Sequence, residues 1–131
     1  MRLVLDTHVL VYDALSPSKL SARARKAIES AFADRTLACS DISLWEIAML
    51  ISRRRLDTGM DAREFIDDLI LAREIRVLPI SAEIAALSQS DVFAHGDPAD
   101  RLIAATAILH RATLVSSDAK LRKLKEVAVI W

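Results

Sequence analysis

The chain has 131 residues, of which 53% are hydrophobic and two are glycine, and its formal net charge is zero. This length and composition favour one packed, helix-rich domain over residues 1–131 and exclude a disordered chain. Zero net charge argues against a broadly basic protein that wraps nucleic acid, although it allows a local basic rim. The single cysteine, Cys39, excludes an internal disulfide and a thiolate zinc cage.

Short apolar runs alternate with amphipathic stretches along the chain. These patterns predict strands at residues 2–5, 36–39, 75–80, 113–116 and 127–130. They predict one helix that begins at Ser16–Pro17, and further helices over about residues 41–55, 61–74, 81–88, 97–111 and 118–124, with a loop at residues 88–96. Strands that alternate with helices favour a parallel sheet covered on both faces.

The apolar stretches also indicate where the protein works. The first apolar run ends at Asp6, which is too early for a signal peptide, and no apolar stretch is long enough to span a membrane. We therefore expect a cytoplasmic protein without a membrane partner. The apolar neighbours of Cys39 predict that this thiol is buried.

Two aspartates follow predicted strands. Asp6 closes the first strand, and Asp118 comes shortly after the fourth. Ligands of open parallel sheets bind outside the carboxyl ends of the strands. If these two strands are neighbours, the two carboxylates lie on the same rim of the sheet.

Two further acids are predicted to point inward from helices. Asp100 shares a helical face with the apolar residues at positions 103, 104 and 107, and Glu46 lies in a nearly continuous apolar run. Buried carboxylates are costly unless a cation compensates their charge, and crowding raises their pKa. Mg²⁺ or Mn²⁺ prefers oxygen ligands, and such an ion could activate a water and stabilise charge on a phosphate. No histidine–cysteine set competes for the metal, so zinc is not expected.

Each acid also has an explanation that needs no metal. Asp6 and Asp118 can cap the turn or helix that follows them, and Asp97 can cap a helix whose dipole favours Asp100. Glu46 can complete a capping box with the serine three residues before it. The metal hypothesis depends on convergence, because four acids from four separate segments could meet at one rim.

Four segments resemble the successive motifs of PIN-domain ribonucleases, and their order and spacing extend over the whole chain. The segments are LVLDTHVL at residues 3–10, SLWEIA at 43–48, DPADRLIAATA at 97–107 and LVSSD at 114–118. The third segment, with His95 before it, is similar to that of a VapC-type group of bacterial toxin–antitoxin pairs. Any one of these motifs is unspecific, whereas all four in this order are specific.

The resemblance implies a fold, an activity and a set of site residues. The fold is a PIN-like three-layer α/β/α sandwich around a mostly parallel sheet of about five strands. The activity is Mg²⁺- or Mn²⁺-dependent cleavage of RNA phosphodiester bonds. The implied catalytic and metal-binding residues are Asp6, Glu46, Asp100 and Asp118. Asp97 is outside this core set, and it either contributes through water or only caps its helix.

Several neighbours of the acids have open roles. The positions at which family members offer hydroxyl groups to the site correspond to Thr7 and to either Ser116 or Ser117. Arg101 either contacts a phosphate or pairs with a neighbouring acid. His95 is either a proton donor or a turn residue bonded to the start of the following helix.

The resemblance also implies partners. VapC-type toxins are usually homodimers, and a cognate antitoxin holds them inactive with a tail that lies along a hydrophobic groove and reaches the acidic pocket. Trp45 and Met49 lie on one flank of the predicted helix and are candidates for that groove. The simpler alternative places both in the core, because this helix is apolar nearly all round.

Two basic runs, at residues 53–55 and 120–125, could hold RNA phosphates. Such runs are more often solvated faces or favourable charges at helix ends. The second run follows directly on Asp118 and is the better candidate for RNA contact.

These observations leave three hypotheses from different classes. The first is an endoribonuclease toxin that hydrolyses RNA and is neutralised by an antitoxin. The second is a receiver-type regulatory domain that binds Mg²⁺ and accepts a phosphoryl group, which would need an additional acid near Asp6. The third is a PIN-like domain that has lost activity and only binds a partner, against which the complete set of acids argues.

Overall fold

The computed structural model describes residues 2–93 and 96–131, and these contain one sheet of five strands. The strands are β1 (Leu3–Leu5), β2 (Leu37–Ser40), β3 (Arg76–Leu78), β4 (Thr113–Val115) and β5 (Val129–Ile130). All four neighbouring pairs are parallel, and the order across the sheet is β3-β2-β1-β4-β5. Every residue of β1, β2 and β4 is buried, as expected of parallel strands that are covered on both faces.

Seven α-helices occur in the described residues. They are α1 (Thr7–Leu15), α2 (Ala22–Ala33), α3 (Ile42–Ser52), α4 (Ala62–Arg73), α5 (Ala82–Ser88), α6 (Pro98–Leu109) and α7 (Ala119–Arg122). Helices α3 to α7 lie where the sequence predicts them, with ends that are at most three residues shorter. Short polar side chains start several of them: Asp61 accepts the N–H of Glu64, and Ser81 accepts the N–H of Ile84.

The first part of the chain departs from the prediction in two ways. Helix α1 was not predicted, because its residues are apolar without a clear helical period and include three valines or threonines that favour strands. The helix predicted to begin at Ser16–Pro17 is present but begins later, since Pro17 begins only a short 3₁₀ turn and the apolar stripe from Ala24 to Phe32 lies in α2. Ser21 is the real start of α2, where its hydroxyl accepts the N–H of Ala24 at 3.0 Å.

Two apolar cores cover the two faces of the sheet. One contains side chains of β1 and β2 and of α1 to α4, including Leu5, Ile28 and Ile47. The other contains side chains of α5, α6 and α7 packed on alternate strand residues, including Val4 and Ile103. The predicted three-layer α/β/α sandwich with a parallel sheet is therefore confirmed. Cys39 is 1% exposed, so its predicted burial is also confirmed.

The strand order places a crevice between β1 and β4. The chain proceeds from β1 outward to β2 and β3 and then returns to β4 on the other side of β1. Ligands bind at such a switch point, outside the carboxyl ends of the strands.

The observed order differs from the order 2-1-3-4-5 of receiver-type domains, so the receiver hypothesis is wrong. None of the helices in the described residues is long and apolar enough to cross a membrane.

Candidate acidic site

Asp6 lies at the carboxyl end of β1, beside the end of β4. Leu5 is paired with Val115 in the sheet, and the Asp6 N–H donates to the Val115 carbonyl at 3.0 Å. Asp6 also caps α1, since its Oδ1 accepts the N–H of Thr7 at 2.8 Å. The residue is 6% exposed, so the chain passes from strand to helix around a buried carboxylate.

Ser116 connects the two strand ends. Its Oγ donates to Asp6 Oδ2 at 2.7 Å and accepts the N–H of Asp118 at 3.1 Å. Ser116 is fully buried, whereas Ser117 is exposed. The hydroxyl that the sequence assigned to one of these two serines therefore belongs to Ser116. Asp118 in turn caps α7, because its Oδ1 accepts the N–H of Lys120 at 2.7 Å.

Glu46 reaches the site from α3 through Thr7. Its Oε1 accepts a hydrogen bond from Thr7 Oγ1 at 2.5 Å, and Ser43 Oγ lies 2.9 Å from the same hydroxyl. Because a hydroxyl has one proton, Thr7 donates to the carboxylate and Ser43 donates to Thr7. Ser43 lies inside α3, whose N-cap is Asp41, so the capping-box explanation of Glu46 is wrong.

Asp97 and Asp100 come from the start of α6. Asp97 caps the helix, since its Oδ1 accepts the N–H groups of Ala99 at 2.8 Å and of Asp100 at 3.4 Å. The pKa of the Asp100 carboxyl is raised to about 7, chiefly by burial. The charges that add to this rise belong to Asp6, Asp97, Asp118 and Glu46. The acids from four segments are therefore close enough to repel one another, as the sequence predicts.

The carboxyls of Asp6 and Glu46 are perturbed in the same direction. Burial is the main cause that raises the pKa of Asp6, and the hydrogen bonds from Ser116 and Thr7 oppose it. Burial also raises the pKa of Glu46, the hydroxyl of Thr7 opposes it, and the charges of Asp97 and Asp6 add to it. In both residues the protein bears the cost of a carboxylate that is partly removed from water.

The four core acids lack a direct ion-pair partner in the described part of the chain. In residues 2–93 and 96–131, none of Asp6, Glu46, Asp100 and Asp118 forms an ion pair within 4.0 Å. Within the same residues, no group of three or more His, Cys, Asp or Glu side chains is arranged so that it could hold a metal as it stands. The chemistry of the donors, all carboxylates, fits a hard dication such as Mg²⁺ or Mn²⁺.

A cleft of about 650 Å³ opens on one side of the acids. Its acidic lining is formed by Asp97, Asp100 and Asp118. Arg101, Lys120 and Lys123 also line it, and apolar side chains complete the wall. Arg101 forms no ion pair in the described part of the chain, and its Nε is buried without a hydrogen-bond partner there. Of the two roles left open for Arg101, the ion pair with a neighbouring acid is therefore not found among the described residues.

The residues that the sequence places near the acids have different surroundings in the structure. Trp45 is 58% exposed and Met49 is partly buried, so the alternative that places both in the core is wrong for Trp45. The residues of the basic run 53–55 are exposed and do not line the cleft. His95 lies outside the described residues. Sequence reasoning missed the role of Ser43, although its position one helical turn before Glu46 placed both on the same face.

Comparison of sequences finds relatives along nearly the whole chain. The sequence model of the PIN domain matches residues 3–127. Ribonuclease VapC22 of Mycobacterium tuberculosis (strain ATCC 25618 / H37Rv) is 37% identical over 120 residues, which are 91% of this chain and 88% of that protein.

Comparison of structures finds the same fold in several solved proteins. The match to the crystal structure of VapBC2 from Rickettsia felis, bound to a DNA fragment from their promoter, has a TM-score of 0.73 and 22% identity and covers 99% of this chain and 98% of that one. The match to FitAcB from Neisseria gonorrhoeae has a TM-score of 0.70 and 23% identity and covers 98% of this chain and 96% of that one. At such identities the likeness concerns the fold.

Proposed function

The chain belongs to the PIN-domain family, and from this premise we propose that it is a VapC-type endoribonuclease toxin. It hydrolyses RNA phosphodiester bonds in the presence of Mg²⁺ or Mn²⁺. Its relative from Mycobacterium tuberculosis is named a ribonuclease and shares 37% of its residues over 120 positions. That similarity supports ribonuclease activity, while the metal requirement is supported by the chemistry of the site.

One observation carries the metal-dependent mechanism: acids from four segments repel one another at the switch point of the sheet. The pKa of Asp100 is raised to about 7 by burial and by the charges of the surrounding acids. No basic side chain in the described residues pairs with the four core acids. An arrangement that is unfavourable for the protein alone becomes favourable when a dication binds, which is typical of a functional site.

Asp6, Asp100 and Asp118 would hold the metal, and Glu46 would bind it or orient the attacking water. When bound, the ion supplies a polarised water and a positive charge against the phosphate oxygens. Ser116 holds Asp6 Oδ2 and the backbone of Asp118 in place, and Thr7 holds Glu46 Oε1. These hydroxyls fix the directions of the carboxylates before RNA arrives, which lowers the cost of reorganisation during the reaction.

The proposal predicts that Asp100→Asn abolishes cleavage while the fold is retained. The purified protein is mixed with a pool of RNAs in Mg²⁺, in Mn²⁺ and in chelator, and the products are mapped by sequencing of their ends. We expect cuts only with metal, and a loss of about 100-fold or more in the variant, because a neutral amide is a poorer ligand for a dication. Far-UV circular dichroism verifies the fold of the variant.

The matched control is Asp68→Asn, which removes one exposed carboxylate from α4, far from the cleft in the sequence and outside its lining. It is expected to cleave like the unmodified protein. Full activity of Asp100→Asn would contradict the mechanism. Absence of metal-dependent cuts for all three proteins would favour the remaining hypothesis, in which a PIN-like domain only binds a partner.

We further propose that a cognate antitoxin inhibits the protein, that it forms a homodimer and that it works in the cytoplasm. The antitoxin is supported by a solved structure of the same fold, a toxin–antitoxin complex from Klebsiella pneumoniae, with a TM-score of 0.61 and 21% identity. Trp45 supports a partner surface, because a Trp that is 58% exposed beside Glu46 is typical of an interface. Measurement of the mass in solution by light scattering tests the dimer, since the single chain has 14.5 kDa.

A further inference from the structure

The cleft beside the acids has two lysines on its wall that the proposed metal site does not use. Lys120 and Lys123 are three residues apart at α7 and both line the cleft. Residues at this spacing face the same side of a helix. Arg122 and Lys125 belong to the same basic run, are also exposed and do not line the cleft. The local geometry therefore divides four neighbouring basic residues into two that face the site and two that do not.

The two lysines are available for a ligand. Both are exposed, and neither forms an ion pair within 4.0 Å in the described residues, although three acids line the same cleft. The backbone N–H of Lys120 donates to Asp118, which places the backbone of this residue directly beside the acid. A cation next to an acidic centre can bind an anionic group that the acids themselves would repel.

Size and charge of the cleft fit a nucleotide of single-stranded RNA. The volume of about 650 Å³ is within the range of sites that take small molecules or single nucleotides. Leu121 and Leu124 are apolar parts of the wall of the same cleft. An RNA strand carries one phosphate per nucleotide, so a phosphate at the acids has a neighbouring phosphate within reach of the same wall.

We propose that Lys120 and Lys123 bind the RNA phosphate next to the scissile one and thereby direct the strand along α7. This inference rests on the proposed ribonuclease function. It makes the two lysines positioning residues, because they hold the substrate and do not touch the reacting phosphorus. It also assigns RNA contact to one half of the basic run 120–125 and withholds it from Arg122 and Lys125.

The test compares two double variants that remove the same amount of charge. Lys120→Gln/Lys123→Gln removes the pair that lines the cleft, and Arg122→Gln/Lys125→Gln removes the pair that does not. Both are made in the Asp100→Asn background, and fluorescence anisotropy measures their affinity for a labelled single-stranded oligouridylate of about ten nucleotides in Mg²⁺, over a series of salt concentrations.

We expect the cleft pair to weaken binding by about tenfold and to lower the salt slope by about 0.7 for each phosphate contact that is lost. The control pair should change the affinity by less than about twofold, since general attraction of RNA to a protein of zero net charge is weak. The charge-preserving variant Lys120→Arg/Lys123→Arg should retain the affinity. In the cleaving protein the cleft pair should raise KM more than it lowers kcat.

Equal losses of RNA affinity in the two double variants would overturn the inference, because they would show that RNA is held only by general electrostatic attraction to the protein. Unchanged RNA affinity of Lys120→Gln/Lys123→Gln would also overturn the inference. An acidic protein segment would then be the alternative ligand of the cleft. Loss of binding in the arginine variant would indicate a structural effect and count against a phosphate contact. Failure of the proposed function is distinct from all of these, since the cleavage experiment with the unmodified protein detects it.

Discussion

Asp6, Asp97 and Asp118 each accept a backbone N–H through Oδ1 at the start of a helix. Oδ2 of Asp6 accepts a hydrogen bond from Ser116, so one oxygen of this carboxylate caps a helix and the other bonds to the end of β4. The structural and the functional explanations of these acids are therefore compatible. A carboxylate that caps a helix is held in a fixed direction, which suits a ligand of a metal.

The pKa of Asp100 leads to a prediction about stability without metal. Its folded value of about 7 exceeds the ordinary value of 3.8, so the folded protein binds this proton more tightly than the unfolded chain. The stability that this proton contributes is present at low pH and is lost as the pH rises towards 7. We expect Asp100→Asn to be more stable than the unmodified protein by about 2 kcal/mol at about pH 8, after allowance for partial exposure.

Urea denaturation in chelator at about pH 5 and about pH 8 measures this difference. The advantage of Asp100→Asn should shrink at the lower pH, where the unmodified carboxyl is largely protonated in the folded state. Asp68→Asn should show little difference at either pH, because it is exposed on α4. If Asp100→Asn is less stable than the unmodified protein at the higher pH, the neighbouring acids and burial do not destabilise the charged Asp100 carboxylate.

Arg73 connects three helices on one side of the sheet. From α4 its guanidinium donates to both carboxylate oxygens of Asp13 in α1 at 2.9 Å and to Glu29 in α2 at 2.7 Å. It also lies 5.0 Å from the centre of the Phe32 ring. The hydrogen bonds to Asp13 and Glu29 raise the pKa of Arg73. The side chain of Asp13 is 9% exposed, so this pair is largely removed from water.

Arg73→Met should destabilise the protein by about 2 kcal/mol, because it leaves the Asp13 carboxylate partly buried and unpaired. Urea denaturation at neutral pH measures the change. Arg63→Met is the matched control, since Arg63 pairs with Asp67 on the surface of the same helix at 3.9 Å with both side chains largely exposed. Equal stabilities of the two variants would show that Arg73 contributes no more than a surface charge.

At the scale of the whole molecule, zero net charge and an exposed tryptophan indicate specific partners instead of broad attraction to polyanions. If the proposed antitoxin covers α3, Trp45→Ser should weaken the complex by about tenfold or more, as loss of a buried aromatic anchor does. Leu71→Ser is the control, because Leu71 is 75% exposed on α4 and does not line the cleft.

Calorimetric titration of each purified variant with the antitoxin measures this effect. RNA cleavage in the absence of antitoxin verifies that each variant is folded. If Trp45→Ser binds the antitoxin as tightly as the unmodified protein, α3 is not the surface that the antitoxin covers.

Several features follow from the local sequence alone. The strand and helix positions after residue 36 are determined by apolar period and by capping residues such as Asp61 and Ser81, whose effects extend over a few residues. The four acids are recognisable because their motifs occur in a specific order along the chain. These signals are local, and the sequence contains them before any tertiary contact forms.

Other features were decided only by tertiary structure. Helix α1 forms because its apolar residues have a place in the core and Asp6 caps it, although its valines favour a strand. Tertiary structure decides that Ser116, and not Ser117, contacts Asp6. It also decides that Lys120 and Lys123 line the cleft while Arg122 and Lys125 do not. Contacts between residues far apart in the chain, such as Ser116 with Asp6, depend on strand order, and local patterns do not encode that order.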